Sequence, residues 1–107
     1  MTAEEAAEAA HVGPRLVVVE TYTCGWCRRL RKDLGPEYAN SSYNSRAPLK
    51  YVYLNGWTQS HLTLRSPVTA TPTLLLVNED GKELSRITGY PGDIYPMYDL
   101  VDRFVPG

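Results

Sequence analysis

The chain reads as an α/β protein with a mixed four-stranded central sheet flanked by helices. Three observations predict this. The apolar run Leu16-Val17-Val18-Val19 is unbroken, as in a central strand covered on both faces. Extended and helical patterns follow in the order β-α-β-(α)-β-β-α, so a parallel pair around a helix precedes a hairpin and a closing helix. Asn78-Glu79-Asp80-Gly81 is turn sequence between two strand patterns, which makes that hairpin antiparallel.

Each element follows from its residues. Residues 2–10 are Ala and Glu apart from Thr2, with high helix propensity and no large apolar side chain to bury. An exposed helix or disordered arm is expected over 1–14, ended by Gly13-Pro14, with the domain over 15–107. Strand one covers 15–22. The first helix starts at the cysteines with Thr23 as its N-cap. It places Cys27, Leu30 and Leu34 on one face and Arg28, Arg29, Arg31 and Lys32 mostly elsewhere. Gly35-Pro36 is expected to stop or kink it, with 37–43 continuing after a bend and 41–48 forming a polar loop. Strand two covers 49–55, with Tyr51 and Tyr53 on one side and Val52 and Leu54 on the other. Residues 56–67 carry little pattern beyond a short helix around 60–65. Strand three covers 73–78 and strand four 82–88. Gly89 and Pro91-Gly92 break the chain before a helix over 93–105, with Ile94, Met97, Leu100, Val101, Phe104 and Val105 at helical spacing. Asp93 is placed to cap that helix, and Pro96 is tolerable in its first turn.

Composition narrows the function classes. The chain has 107 residues, 43% of them hydrophobic and 21% charged, with net charge −1. That is one domain, without the basic excess of a nucleic-acid binder. No apolar run approaches the roughly 20 residues that span a bilayer. The N-terminus shows no signal-peptide pattern, as a trimmed mature chain also would not. Nothing in the pattern calls for oligomerisation, so a monomer is expected.

The two cysteines, Cys24 and Cys27, are too few for a disulfide scaffold. Their C-x-x-C spacing at a strand-to-helix turn points to redox chemistry. Thiol–disulfide exchange needs a thiolate. Cys24 lies at a helix N-terminus, where unpaired N–H groups favour an anion, and Cys27 one turn on can donate its S–H. The basic residues that follow add positive potential. Cys24 is therefore the candidate nucleophile and Cys27 the resolving thiol. Gly25 lets a partner chain approach closely, and Trp26 offers a flat apolar surface. The bland alternatives are a solvated face for the basic cluster, packing for Tyr51 and Tyr53, and a zinc half-site that His11 and His61 would have to complete. The histidines have no ligand-like spacing, and no metal or organic cofactor is implied.

Over about residues 15–105 the chain resembles the thioredoxin superfamily. The likeness rests on the strand leading into Cys24-Gly25-Trp26-Cys27, on Thr71-Pro72 before strand three, and on Gly89 after strand four. It implies a thioredoxin-like fold in which Pro72 is cis beside the cysteines. It further implies that the Thr71 backbone meets an extended substrate and that Gly89 borders the same groove. The strings Val18-Val19-Glu20, 24–29, 67–73 and Gly89-Tyr90-Pro91-Gly92 look like the SoxS-type periplasmic thioredoxin-like proteins of bacterial sulfur-oxidation systems. That likeness implies a periplasmic location, with the cytoplasm as the alternative. It also implies a protein substrate carrying a reactive cysteine, the SoxYZ carrier among the candidates, and an upstream dithiol reductant. No nucleic acid or metal is expected as partner.

There are departures. Thioredoxins carry a buried acid six residues before the first cysteine, where this chain has Val18. They have Trp just before that cysteine, here Thr23, and Gly-Pro between the cysteines, here Gly-Trp. Glu20 is either a substitute proton carrier or a partly exposed strand-end residue. Two rival functions are a glutaredoxin-like, glutathione-dependent reductase and a redox-inactive binding module. The first would call for Pro after the first cysteine and a Gly-Gly-Asp/Ser element, neither of which this chain has, and the intact pair argues against the second.

Overall fold

The computed structural model describes residues 13–54 and 62–106. The arm expected over 1–14 falls outside them through residue 12, as do Asn55 and both histidines. The described elements are β1 (Arg15–Glu20), α1 (Gly25–Ala39), α2 (Ser42–Arg46), β2 (Leu49–Tyr53), β3 (Thr73–Val77), β4 (Glu83–Thr88) and α3 (Tyr95–Phe104). They form one sheet in the order β2-β1-β3-β4, with β1 parallel to β2 and the other two pairs antiparallel.

The apolar run does become a strand buried throughout. Alternation along β1 and β3 divides the core between the two faces. Leu16, Val18, Leu74 and Leu76 pack with Leu30, Leu34 and Tyr38 of α1 and Met97, Leu100 and Val101 of α3. Val17, Val19, Leu75 and Val77 face the other way, against Leu62 and Val68 with Val52, Leu54 and Leu64. Cys27, Leu30, Leu34 and Tyr38 form the buried stripe of α1.

Several boundaries differ from expectation for local reasons. β1 ends at Glu20 because residues 22–23 are already turning toward α1. Gly35-Pro36 does not stop α1, which runs to Ala39 with Pro36 inside. A proline inside a helix costs about 3 kcal/mol. Full burial of Tyr38, whose hydroxyl donates to the Ala47 carbonyl at 2.6 Å, is a term of similar size. Gly35 serves close packing, since a Cβ there would lie 3.1 Å from the Tyr51 hydroxyl. The expected polar loop contains α2, whose Arg46 reaches across to Asp102 at 3.1 Å and so ties α2 to α3. β2, β3 and β4 are each one or two residues shorter than expected. The helix around 60–65 is not formed over 62–65, where Thr63 instead bridges Lys82. α3 begins at Tyr95 with Ile94, not Asp93, as its N-cap; Asp93 lies one residue earlier and accepts the Tyr95 N–H at 3.0 Å.

Glu83 anchors β4 to that irregular segment. Its buried carboxylate accepts from Arg86 at 2.7 Å and from the Arg65 N–H at 3.0 Å. The Arg86 hydrogen bonds hold the carboxyl below its ordinary pKa of 4.5. A lowered folded-state pKa gives a contribution that is whole above the unfolded value and lost as pH falls through the folded one. Glu83→Gln is therefore expected to lower the unfolding free energy by about 2 kcal/mol at pH 7. In urea denaturation that deficit should shrink below pH 4.5.

Candidate active site

Sheet register brings distant sequence motifs to one edge. Val19 pairs with Thr73, and Thr73 with Thr88. The residues just beyond the C-terminal end of β1 therefore lie beside those preceding β3 and following β4. The Thr71 Oγ1 sits 3.3 Å from Thr21 Oγ1, three residues before Cys24. The Gly89 N–H donates to the Pro72 carbonyl at 2.7 Å, and Gly89 takes φ 84°, a left-handed conformation that favours glycine. The Thr71–Pro72 peptide bond is cis, and Pro72 is buried.

The turn from β1 to α1 closes with the Cys24 N–H donating to the Thr21 carbonyl at 3.3 Å. Cys24, not Thr23, is the N-cap. Its backbone is extended at φ −87° and ψ 105°, and its carbonyl starts the helical ladder by accepting the Arg28 N–H. Its Sγ accepts the Cys27 N–H at 3.0 Å, as a Ser or Asp oxygen ordinarily does at this position. The backbone thus supplies a donor to the first sulfur. Cys24 is partly exposed, whereas Cys27 is 1% exposed on the buried stripe of α1. The two sulfurs are joined as a disulfide.

Aromatic rings flank the pair. Trp26 is 57% exposed and packs edge-on against Tyr90, with ring centroids 6.3 Å apart. Tyr90 donates its hydroxyl to Asp33 at 2.7 Å. Burial, then that carboxylate, pushes the Tyr90 hydroxyl up to about 12. The Tyr90 hydroxyl in turn holds Asp33 below the usual carboxylate range, helped by Arg29. On the other flank Tyr22 is 75% exposed and stacks on Tyr53 at 4.2 Å. Arg28 folds back to donate to the Tyr22 carbonyl at 3.3 Å.

Glu20 is not the partly exposed strand-end residue of the bland expectation. It is buried, and its carboxylate accepts from Arg31. That hydrogen bond raises the Arg31 guanidinium above its ordinary value, and the guanidinium lies 3.9 Å over the Tyr51 ring. Arg31 is thus a packing residue within the basic cluster, and Tyr51 packs into the main core.

Thr21 and Tyr22 were not singled out from sequence, while Arg28 was noted only within the basic cluster and Tyr90 only within the string 89–92, and none of the four was given its contact. Their partners are Thr71, Tyr53, the Tyr22 carbonyl and Asp33, and three of these four contacts cross large stretches of chain.

The thioredoxin-like domain family matches residues 2–97. The chain belongs to that family. Among solved structures, the reduced periplasmic thioredoxin SoxS from Paracoccus pantotrophus is similar, with TM-score 0.73 and 29% identity over 84% of this chain and 93% of that one. The germline-specific thioredoxin Deadhead from Drosophila melanogaster follows with TM-score 0.70 and 17% identity over 94% of this chain and 90% of that one. Trxlp from Edwardsiella tarda has TM-score 0.65 and 21% identity over 94% and 92%. The last two are similar in fold alone. No curated protein matches the chain. The thioredoxin-superfamily and SoxS-type resemblance seen in the sequence is borne out. With the thioredoxin fold and its cysteine pair, the chain is a thiol–disulfide oxidoreductase.

The Tyr90–Asp33 bond is the support beneath Trp26. Tyr90→Phe and Asp33→Asn are each expected to lower the melting temperature. The double variant should be no less stable than the weaker single one, because both remove the same bond. Additive losses in a thermal-unfolding cycle would show that the two side chains act separately.

Proposed function

We propose that the chain is a reductant of a protein partner, with Cys24 as nucleophile and Cys27 as resolving thiol. The observation that carries this is the asymmetry of the pair. Cys24 is partly exposed and its sulfur accepts the Cys27 N–H, while Cys27 is sealed in the helix–sheet interface. An N–H aimed at sulfur favours the thiolate, the attacking species.

In the reduced protein the Cys24 thiolate attacks one sulfur of a substrate disulfide. An S–S bond forms between Cys24 and that sulfur, and the other substrate sulfur leaves as a thiolate and takes a proton. Cys27 loses its proton and attacks the Cys24 sulfur. The mixed disulfide breaks and the second substrate thiolate departs. The substrate has gained two electrons, and Cys24–Cys27 has become the disulfide of this structure. An upstream dithiol reductant restores the pair.

Trp26 and Gly25 form the docking surface on the α1 side, with Thr71, Pro72 and Gly89 opposite. Support comes from the exposure of Trp26 and from the hydrogen bonds linking Thr71 to Thr21 and Gly89 to Pro72. The likeness to a periplasmic SoxS supports placing the protein in the periplasm, with a sulfur-carrier cysteine such as that of SoxYZ as its target.

Cys27→Ser is expected to accumulate a mixed disulfide with its partner through Cys24, visible on non-reducing gels, and Cys24→Ser to show none. A dithiothreitol titration followed by tryptophan fluorescence should give a reduction potential near the thioredoxin value of about −270 mV. A value near −120 mV, roughly that of a strong oxidant, would make the protein a disulfide donor instead.

A further inference from the structure

The first turns of α1 carry Arg28, Arg29, Arg31 and Lys32, four of the chain's 11 basic residues, on a chain of net charge −1. Two of them are neutralised locally. Arg29 pairs with Asp33 at 3.0 Å, and Arg31 pairs with buried Glu20. Asp33 also accepts the Tyr90 hydroxyl, so the carboxylates of this region are already engaged. The first turn of α1 contains no acidic residue. Among the described residues, Arg28 and Lys32 form no ion pair with a carboxylate. Lys32 acts on Asp33 only through space.

Arg28 and Lys32 are four residues apart and exposed, so they lie one above the other on one helix face. The same spacing taken back one step reaches Cys24. Arg28 is also held in place. Its Nη1 donates to the Tyr22 carbonyl at 3.3 Å, and its Nη2 lies 3.7 Å from where a Cβ on Gly25 would be. The guanidinium therefore spans the turn that carries Cys24. A planar fork fixed at one edge offers its other edge to a carboxylate with little further ordering cost.

We propose that Arg28, with Lys32 behind it, selects protein substrates whose target cysteine is flanked by acidic residues. The occupant is an extended acidic segment of the partner. A carboxylate on Arg28 would set the neighbouring sulfur before Cys24, and the rings of Trp26 and Tyr22 would take the apolar parts of the segment. Arg28 is thus a specificity-determining residue of the oxidoreductase site, and the proposal rests on the function proposed above.

The test uses two disulfide-linked peptides, identical except for Glu or Gln beside the cysteine. Single-turnover reduction by the reduced protein is measured at low salt. Each rate is divided by the rate with dithiothreitol, which removes the peptides' own difference in reactivity. Any change in Cys24 nucleophilicity cancels in the Glu/Gln ratio. The wild-type ratio is expected to be about two- to five-fold, the range of a partly exposed ion pair. Arg28→Gln should lower it, and the Arg28→Gln, Lys32→Gln double variant should bring it to one. Arg103→Gln, in the last turn of α3, should leave it unchanged. A wild-type ratio of one with both peptides reduced overturns the acidic preference and leaves the oxidoreductase function standing. A preference that survives the double variant overturns the role of Arg28 and Lys32. Failure to reduce either peptide removes the proposed function, and this proposal with it.

Discussion

The hydrogen bond from the Cys27 N–H to the Cys24 sulfur depends on where α1 begins, and most of the structure fixes that point. A helix N-cap must be extended while its carbonyl starts the ladder, and Cys24 meets both conditions. The turn before it is anchored to β1, which is buried along its whole length. The helix after it is anchored by Leu30, Leu34 and Tyr38 in the core. A shift of the helix start by one residue would move the sulfur off the N–H and rotate Cys27 out of the buried stripe.

The surroundings add a division of labour among charges and rings. Glu20 and Arg31 lock α1 to the end of β1, and Arg31 covers Tyr51. Asp33 holds Tyr90, and Tyr90 supports Trp26. Each carboxylate thereby serves packing, and the face leading away from Cys24 keeps exposed cations. This arrangement links the stability of the helix–sheet layer to the electrostatics of the docking surface. The same residues that fix α1 determine which charges remain available to a partner.

Much of this was legible in the sequence because local pattern governs it. The Leu16 to Val19 run, the α1 stripe through Cys27, and the alternation in β2 each follow from a single periodicity. The features missed are those that tertiary contact decides. The sequence left open whether Gly35-Pro36 stops α1 or lets it continue, and burial of Tyr38 beyond Pro36 favours continuation. The segment around Thr63 bridges Lys82 instead of forming a helix, since Glu83 captures the Arg65 N–H. Thr23 looked like the better cap by residue type, yet the Thr21–Cys24 turn moves the helix start one residue on. At the site, Cys24, Cys27 and Trp26 were legible from spacing. The contacts of Thr21 with Thr71 and of Tyr22 with Tyr53 depend on strand register, which one sequence does not display.

The most direct test of the account is to alkylate the reduced protein with less than one equivalent of iodoacetamide near neutral pH and locate the label by peptide mapping. The partly exposed N-cap sulfur and the sealed Cys27 predict label on Cys24 almost alone. Label shared equally between the two, or found mainly on Cys27, would contradict the assignment of nucleophile and resolving thiol.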